Sequence, residues 1–266
     1  MEQKRKGARS LNDLSQEILD QLNNGTIESA NLTEWLAVDQ TLLLQHLLQN
    51  NNRIHYLEPI LLEIAKLKKQ TTNTQNETIG IGLLNETSKK KDSQFLMDIS
   101  SHTSDSVRCW ITYTIGRNPE LSLSEKLQRI QAFAADSHFG VREISWMTVR
   151  PSIIENLTES LQILAKWTSS EHENIRRFAS EATRPRGVWC EHIEILKQNP
   201  ELALSILEPL KSDSSKYVCD SVGNWLNDAS KTQPQFVIDL CRKWENESTT
   251  KSTAYIVKKA MRTLNK

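Results

Sequence analysis

HFGVREISWMTV, residues 138–149, places an apolar residue, Val141, directly before an arginine and a run of mostly small or apolar side chains. Four other stretches align on the same pattern: DSVRCWITYTIG from Asp105, HENIRRFASEAT from His172, SKYVCDSVGNWL from Ser215 and TAYIVKKAMRTL from Thr253. Their anchors are Val107, Val141, Ile175, Val218 and Ile256, separated by 34, 34, 43 and 38 residues. In three of the five an arginine follows the anchor: Arg108, Arg142 and Arg176. A period of this length is what stacked helix pairs need, because each pair buries one face on its neighbour and a polar turn group ties successive repeats together. An amphipathic stretch precedes each segment. One carries Leu157, Leu161, Leu164 and Trp167 at helical spacing, with Ile163 widening the face. The pattern predicts an all-α fold, a superhelix of helical repeats (an α-solenoid) with a concave face.

Composition agrees with helices. Eight Gly and seven Pro in 266 residues leave little material for the many tight turns of an all-β chain. An apolar content of 38% is low but suits an elongated repeat protein with a thin core. Thirty-three basic and 33 acidic side chains cancel, so a nucleic-acid surface would have to come from sorting charges to different faces. Cys109, Cys190, Cys219 and Cys241 form no CxxC pair, and the expectation is reduced, structural thiols rather than a metal or disulfide framework. The basic start, MEQKRKGARSLNDL, has no apolar core after it and does not read as a signal peptide. No run approaches the ~20 apolar residues of a membrane span. The expectation is a soluble, cytoplasmic monomer with no membrane partner.

Working outward, residues 1–75 read as an N-terminal helical cap and 76–266 as repeats of one solenoid domain. Ile18, Leu19 and Leu22 mark a first helix that Asn24-Gly25 stops. A second is expected from about Asn31 to near the polar run Gln49 to Asn52, and a third over Leu57 to Lys68. The polar stretch QTTNTQNE, residues 70–77, lacks periodicity and reads as a loop, with a helical pattern resuming through Ile79, Leu83 and Leu84. Lys89-Lys90-Lys91 reads as a solvated helix end.

Three segments hold more chemistry than a solenoid requires: residues 138–146, 176–189 and 217–231. In RRFASEATRPRGVW, Glu181 lies one turn after Arg177, and Thr183-Arg184-Pro185-Arg186-Gly187 breaks the helix. Arginines in such a loop suit anions, including phosphates, and Trp189 could offer its face to a base or sugar. The bland alternative makes Glu181 an intrahelical partner of Arg177 and Trp189 a core residue.

RRFASEATRPRGVW (176–189) followed by YVCDSVGNWLND (217–228) resembles the HEAT-like repeat alkylpurine DNA glycosylases, the AlkC/AlkD superfamily of DNA alkylation repair proteins, and its AlkC-like branch above all. There the two stretches run R-R-x-x-S-E-x-T-R-P-R-x-x-W and Y-V-x-x-S-V-x-N-x-L-N-D. The resemblance covers about residues 100–266, and KGARSLNDLSQEIL…LTEWLAVDQ is similar to the cap of smaller members. It implies three active-site carboxylates, Glu143, Glu181 and Asp228, on the concave face. Trp189 matches the aromatic that approaches the lesion, with Trp146 as a second candidate. Arg142, Thr183, Arg184, Arg186, Asn224 and Lys231 are the expected contacts to the DNA backbone. Cys219-Asp220 stands where relatives often carry two arginines, and Ala182 where glycine is common.

The resemblance further implies hydrolysis of the N-glycosidic bond of cationic alkylated bases of the 3-methyladenine type in duplex DNA, a base excision repair step without metal or other cofactor. Carboxylates near C1′ stabilise an oxocarbenium-like sugar, and one can orient or deprotonate water. An indole complements the same cation through its π face. The family is known for engaging the lesion from its backbone side rather than in a deep base pocket. Two competing readings stay open: a catalytically silent relative that binds damaged or branched DNA, and a protein-binding scaffold whose acids are only salt-bridge partners.

Overall fold

The computed structural model describes residues 5–265; Met1 to Lys4, the beginning of the basic start, and Lys266 lie outside them. Among the described residues every regular element is helical and no strand occurs, as the repeat pattern predicts. The chain divides into two compact units. One comprises residues 1–120 and 137–148, the other 121–136 and 149–266.

In the first unit the helices are α1 (Gln16–Asn23), α2 (Leu32–Ala37), α3 (Gln40–Asn50), α4 (Leu57–Ala65), α5 (Thr72–Lys90), α6 (Ser93–Asp98) and α7 (Asp105–Gly116). The single helix expected from about Asn31 is instead two. Asp39 breaks it, because its carboxylate accepts the N–H groups of Thr41 and Leu42 and starts α3 afresh. The expected loop at 70–77 is also corrected: α5 begins at Thr72, set by a reciprocal capping box between Thr71 and Thr74. A cap is polar by necessity, which is why the stretch lacked apolar periodicity. Asn76 is buried there and accepts the indole N–H of Trp110 at 2.8 Å. Helix α5 ends at the lysine run, with Lys91 in the left-handed region.

Helices α5 and α7 pack closely because Gly80 lacks a side chain; a Cβ there would lie 2.6 Å from the carbonyl oxygen of Trp110. Ser29 ties the N-terminal segment to the same core. Its N–H and hydroxyl both donate to buried Asp105, and its carbonyl lies 2.8 Å from Nε2 of His138.

The second unit holds α8 (Leu123–Ala134), the later part of α9 (Phe139–Glu155), α10 (Leu157–Trp167), α11 (Glu173–Ala182), α12 (Glu194–Gln198), α13 (Leu204–Leu207), α14 (Lys216–Ala229), α15 (Pro234–Glu247) and α16 (Lys251–Ala260). Within it α11 packs on α14 and α14 on α16. The five sequence anchors fall one to each of α7, α9, α11, α14 and α16. Val107, Val141, Val218 and Ile256 are fully buried, and Ile175 is half-buried.

The arginine after the anchor has a repeated task. Arg108 donates Nη1 to the carbonyls of His102 and Thr103 (2.7 and 2.8 Å), Arg142 to that of Ser137 (2.9 Å), and Arg176 to those of Ser170 and Glu171 (2.8 and 3.0 Å). Each guanidinium therefore turns back onto the turn five or six residues earlier and satisfies carbonyls that the helix cannot. Cys219 takes the same place in α14 and points its thiol at the carbonyl of Asp213, 3.2 Å away. Among the described residues all four cysteines are free thiols, as expected.

Candidate active site

Helix α11 stops at Ala182 because Pro185 cannot continue it, and residues 183–191 form a loop. The loop is fastened from inside by Arg150. This buried arginine donates Nη1 to Ala182 O (2.8 Å), Nη2 to Arg184 O (2.7 Å) and Nε to Glu191 O (2.8 Å). Burial pulls its pKa below the ordinary arginine value, yet three carbonyls share the charge. Gly187 permits the fold-back, since a Cβ would fall 2.3 Å from Cys190 Sγ. Trp225 of α14 closes the base by donating its indole N–H to Thr183 O at 3.0 Å.

Two of the three expected carboxylates meet on this platform. Arg184 donates Nη1 to Glu181 Oε1 (2.7 Å) and both Nε and Nη2 to Asp228 Oδ2 (2.9 and 2.7 Å). The hydroxyl of Ser221 donates to Glu181 Oε2 at 2.7 Å, and Ser180 donates to Ser221 in turn. Arg177 lies 3.6 Å from the same Glu181 oxygen, its guanidinium 4.1 Å above the ring of Tyr217. Burial pushes the Glu181 carboxyl up, but Arg177, Arg184 and the Ser221 hydroxyl outweigh it and hold the group below its usual range. Both acids are thus buried and ion-paired. Asp228 Oδ1 has a looser partner: Lys231 Nζ at 3.0 Å, on a side chain that is 41% exposed.

Trp189 is no core residue. It is 78% exposed, and its backbone sits at φ +57°, a left-handed conformation that costs a non-glycine residue energy. Val188 beside it is also exposed. Strain of this kind persists only where surrounding structure imposes it, and here Arg150 and the Gly187 turn do so.

Several expected backbone contacts have other partners. Thr183 is buried with its hydroxyl donated to Ala179 O (2.9 Å), and Arg184 spends its donors on the two acids, so neither presents a side chain to an outside phosphate. Arg142 caps the turn before its own helix. Arg186 is half-buried, and its Nε finds no hydrogen-bond acceptor among the described residues. Asn224 is half-buried on α14.

The remaining pair lies in the first unit. Trp146 is buried and donates its indole N–H to the half-buried Glu143 at 2.9 Å, so it positions that acid rather than offering a free ring face. Counted from their anchors, Glu143, Glu181 and Asp228 stand two, six and ten residues along α9, α11 and α14. Steps of four keep the side chains on one helical face. Sequence reading missed Arg150, Ser221 and Tyr217. Only Arg150 had a signal, an arginine directly before a proline inside a helix. Among the described residues no helix is long and apolar enough to cross a membrane, and no cluster of three metal-type ligands occurs.

Residues 141–264 match the family described as DNA alkylation repair enzyme. The protein YhaZ of Bacillus subtilis (strain 168) is 37% identical over 139 residues, which is 52% of this chain and 38% of that protein. The fold is similar to that of the Pseudomonas fluorescens alkylpurine DNA glycosylase AlkC bound to DNA containing an abasic site analog, with TM-score 0.68 and 20% identity. That likeness covers 98% of this chain and 66% of AlkC, so the chain spans less than two thirds of either protein's length. AlkD2 from Streptococcus mutans matches with TM-score 0.61 and 21% identity over 81% of this chain and 98% of its own. Residues 141–264 therefore resemble the DNA alkylation repair enzyme family, and the fold of the chain is of the AlkC/AlkD helical-repeat type.

Proposed function

We propose that this chain is a DNA glycosylase that hydrolyses the N-glycosidic bond of cationic alkylated bases, of the 3-methyladenine type, in duplex DNA. The observation that carries the reading is the Arg184 bridge, which holds Glu181 and Asp228 side by side next to the loop that holds Trp189 outward. Leaving-group protonation is not needed, because the alkylated base departs as a neutral molecule with the electron pair of the glycosidic bond. Water bonds to C1′ and its proton passes to a carboxylate.

Asp228 suits the base role best. Its Oδ1 is covered only by Lys231, whose half-exposed ammonium can turn to a DNA phosphate and leave that oxygen bare. Glu181, gripped by three partners, would act as a fixed negative charge toward the sugar cation. Trp189 would lay its ring against the cationic nucleotide, and Arg186 and Lys231 would hold the backbone. Metal and cofactor have no role in this scheme.

The same salt bridges favour a second reading, in which the compensated acids no longer act and the chain only binds damaged DNA. Release of 3-methyladenine from methylated duplex DNA, with the product identified, separates the two. Asp228→Asn and Glu181→Gln should each lower release at least 100-fold while leaving DNA binding in place. Full activity in both variants overturns the assignment, and binding without release by the wild type selects the second reading.

A further inference from the structure

Asp220 of α14 gathers three donors from its surroundings. Its Oδ1 accepts the phenol hydroxyl of Tyr255 at 2.6 Å and the ammonium of Lys259, both on α16, and its Oδ2 accepts Lys216 at 2.7 Å. Lys216 lies 5.1 Å and Lys259 5.8 Å from the centre of the Tyr255 ring, so both cations lie within reach of the same aromatic ring. Gly223 permits the approach, because a Cβ there would meet the Lys259 stem at 2.8 Å. Two ammoniums and a hydroxyl converging on one point make a donor set for a tetrahedral oxyanion as well as for a carboxylate. The cluster is partly exposed: Lys216 keeps 74%, Asp220 27% and Lys259 19% of its side-chain surface. It also lies on the helix that carries Tyr217, Ser221, Asp228 and Lys231, and Asp220 follows Tyr217 by less than one turn.

We propose that Lys216, Tyr255 and Lys259 form a binding subsite for a nucleic-acid phosphate, and that Asp220 occupies it as an internal counter-ion which weakens the chain's grip on the backbone. The inference rests on the reading of this surface as a DNA interface. The neutral overall charge agrees with it: attraction must come from local clusters, and here the chain cancels one of its own. A phosphate reaching the site competes with Asp220 for all three donors, so the wild type gains little from contact. Without the carboxylate, the net charge of the cluster rises from +1 to +2 and both ammoniums become available.

The test is a salt titration of binding to an unmodified duplex oligonucleotide, read by fluorescence anisotropy for wild type, Asp220→Asn and Asp220→Ala. Each neutralised phosphate contributes about −0.9 to the slope of log K against log salt. Both variants should bind more tightly at low salt, with a slope steeper by one to two units. Between 50 and 200 mM salt that corresponds to an additional loss of affinity of about 4- to 16-fold. Adding Lys216→Gln and Lys259→Gln to the Asp220→Asn chain should remove the gain. An unchanged or weaker slope in both single variants, or a gain that survives loss of both lysines, overturns the proposal. Base release is a separate readout: tighter binding in Asp220→Asn with no excision by any form leaves this subsite standing and removes the glycosylase reading alone.

Discussion

Arg184 turns both Nε and Nη2 onto a single oxygen of Asp228, 2.9 and 2.7 Å away, although the two residues are 44 positions apart in the chain. Its remaining terminal nitrogen holds Glu181. One guanidinium therefore compensates two buried carboxylates. Removing it in Arg184→Met takes from both the guanidinium they share, and loss of one partner from a buried ion pair costs about 3–5 kcal/mol. Urea unfolding should show that loss. The triple variant Arg184→Met, Glu181→Gln, Asp228→Asn should recover a large part of it, because neither buried carboxylate keeps its charge. Additive effects would mean that the three groups do not act as a unit.

The lowered pKa of Glu181 gives stability a defined pH dependence. A carboxyl whose folded value lies below its unfolded value, about 4.3, contributes stability that is complete above the unfolded value. That contribution is lost as pH falls through the folded one. The stability difference between wild type and Glu181→Gln should therefore be flat from pH 8 to about 5 and shrink below about 4.3. Urea midpoints measured at several pH values check this, and a difference that instead grows in acid would contradict the charged assignment.

How much of this was legible in the sequence depended on distance along the chain. The anchors and following arginines repeat locally, so the helical repeats could be read before any coordinates. Pro185 likewise announced the end of α11. Polar caps hid two boundaries, because Asp39 and Thr71 serve helix starts while looking like loop composition. Of the candidate site, single residues could be picked out but not their pairing. Glu181 and Arg184 are three residues apart, whereas nothing local tells Arg184 that Asp228 lies across from it. Arg150 carried a local signal in the proline that follows it, but its role was hidden for a similar reason: its three acceptor carbonyls come from the end of α11 and the loop after it, more than thirty residues later.

That arginine yields a structural test. Arg150→Met removes the donor shared by the carbonyls of Ala182, Arg184 and Glu191, at a cost of about 1–3 kcal/mol. The larger consequence is local. Trypsin does not cut the Arg184–Pro185 bond, so Arg186–Gly187 is the sensitive bond of the loop. Limited digestion should cut there faster in Arg150→Met than in wild type, with Arg150→Lys in between. Equal cutting rates in all three would show that the loop is fastened by other contacts.

Trp189 combines wide exposure with a left-handed backbone, and the two features separate stability from binding. The left-handed conformation costs a non-glycine residue roughly 1–2 kcal/mol, whereas the extra unfolded-state freedom of glycine costs about 0.5–1 kcal/mol. Little apolar burial is lost when so exposed a ring is removed. Trp189→Gly should therefore melt at the wild-type temperature or slightly above it. If the ring meets the lesion as proposed, the same variant should bind and process methylated DNA at least tenfold less well, while Trp189→Phe keeps part of both. A fall of several degrees in melting temperature would instead place Trp189 among the residues that hold the loop, and the loss of activity would then carry no information about the lesion.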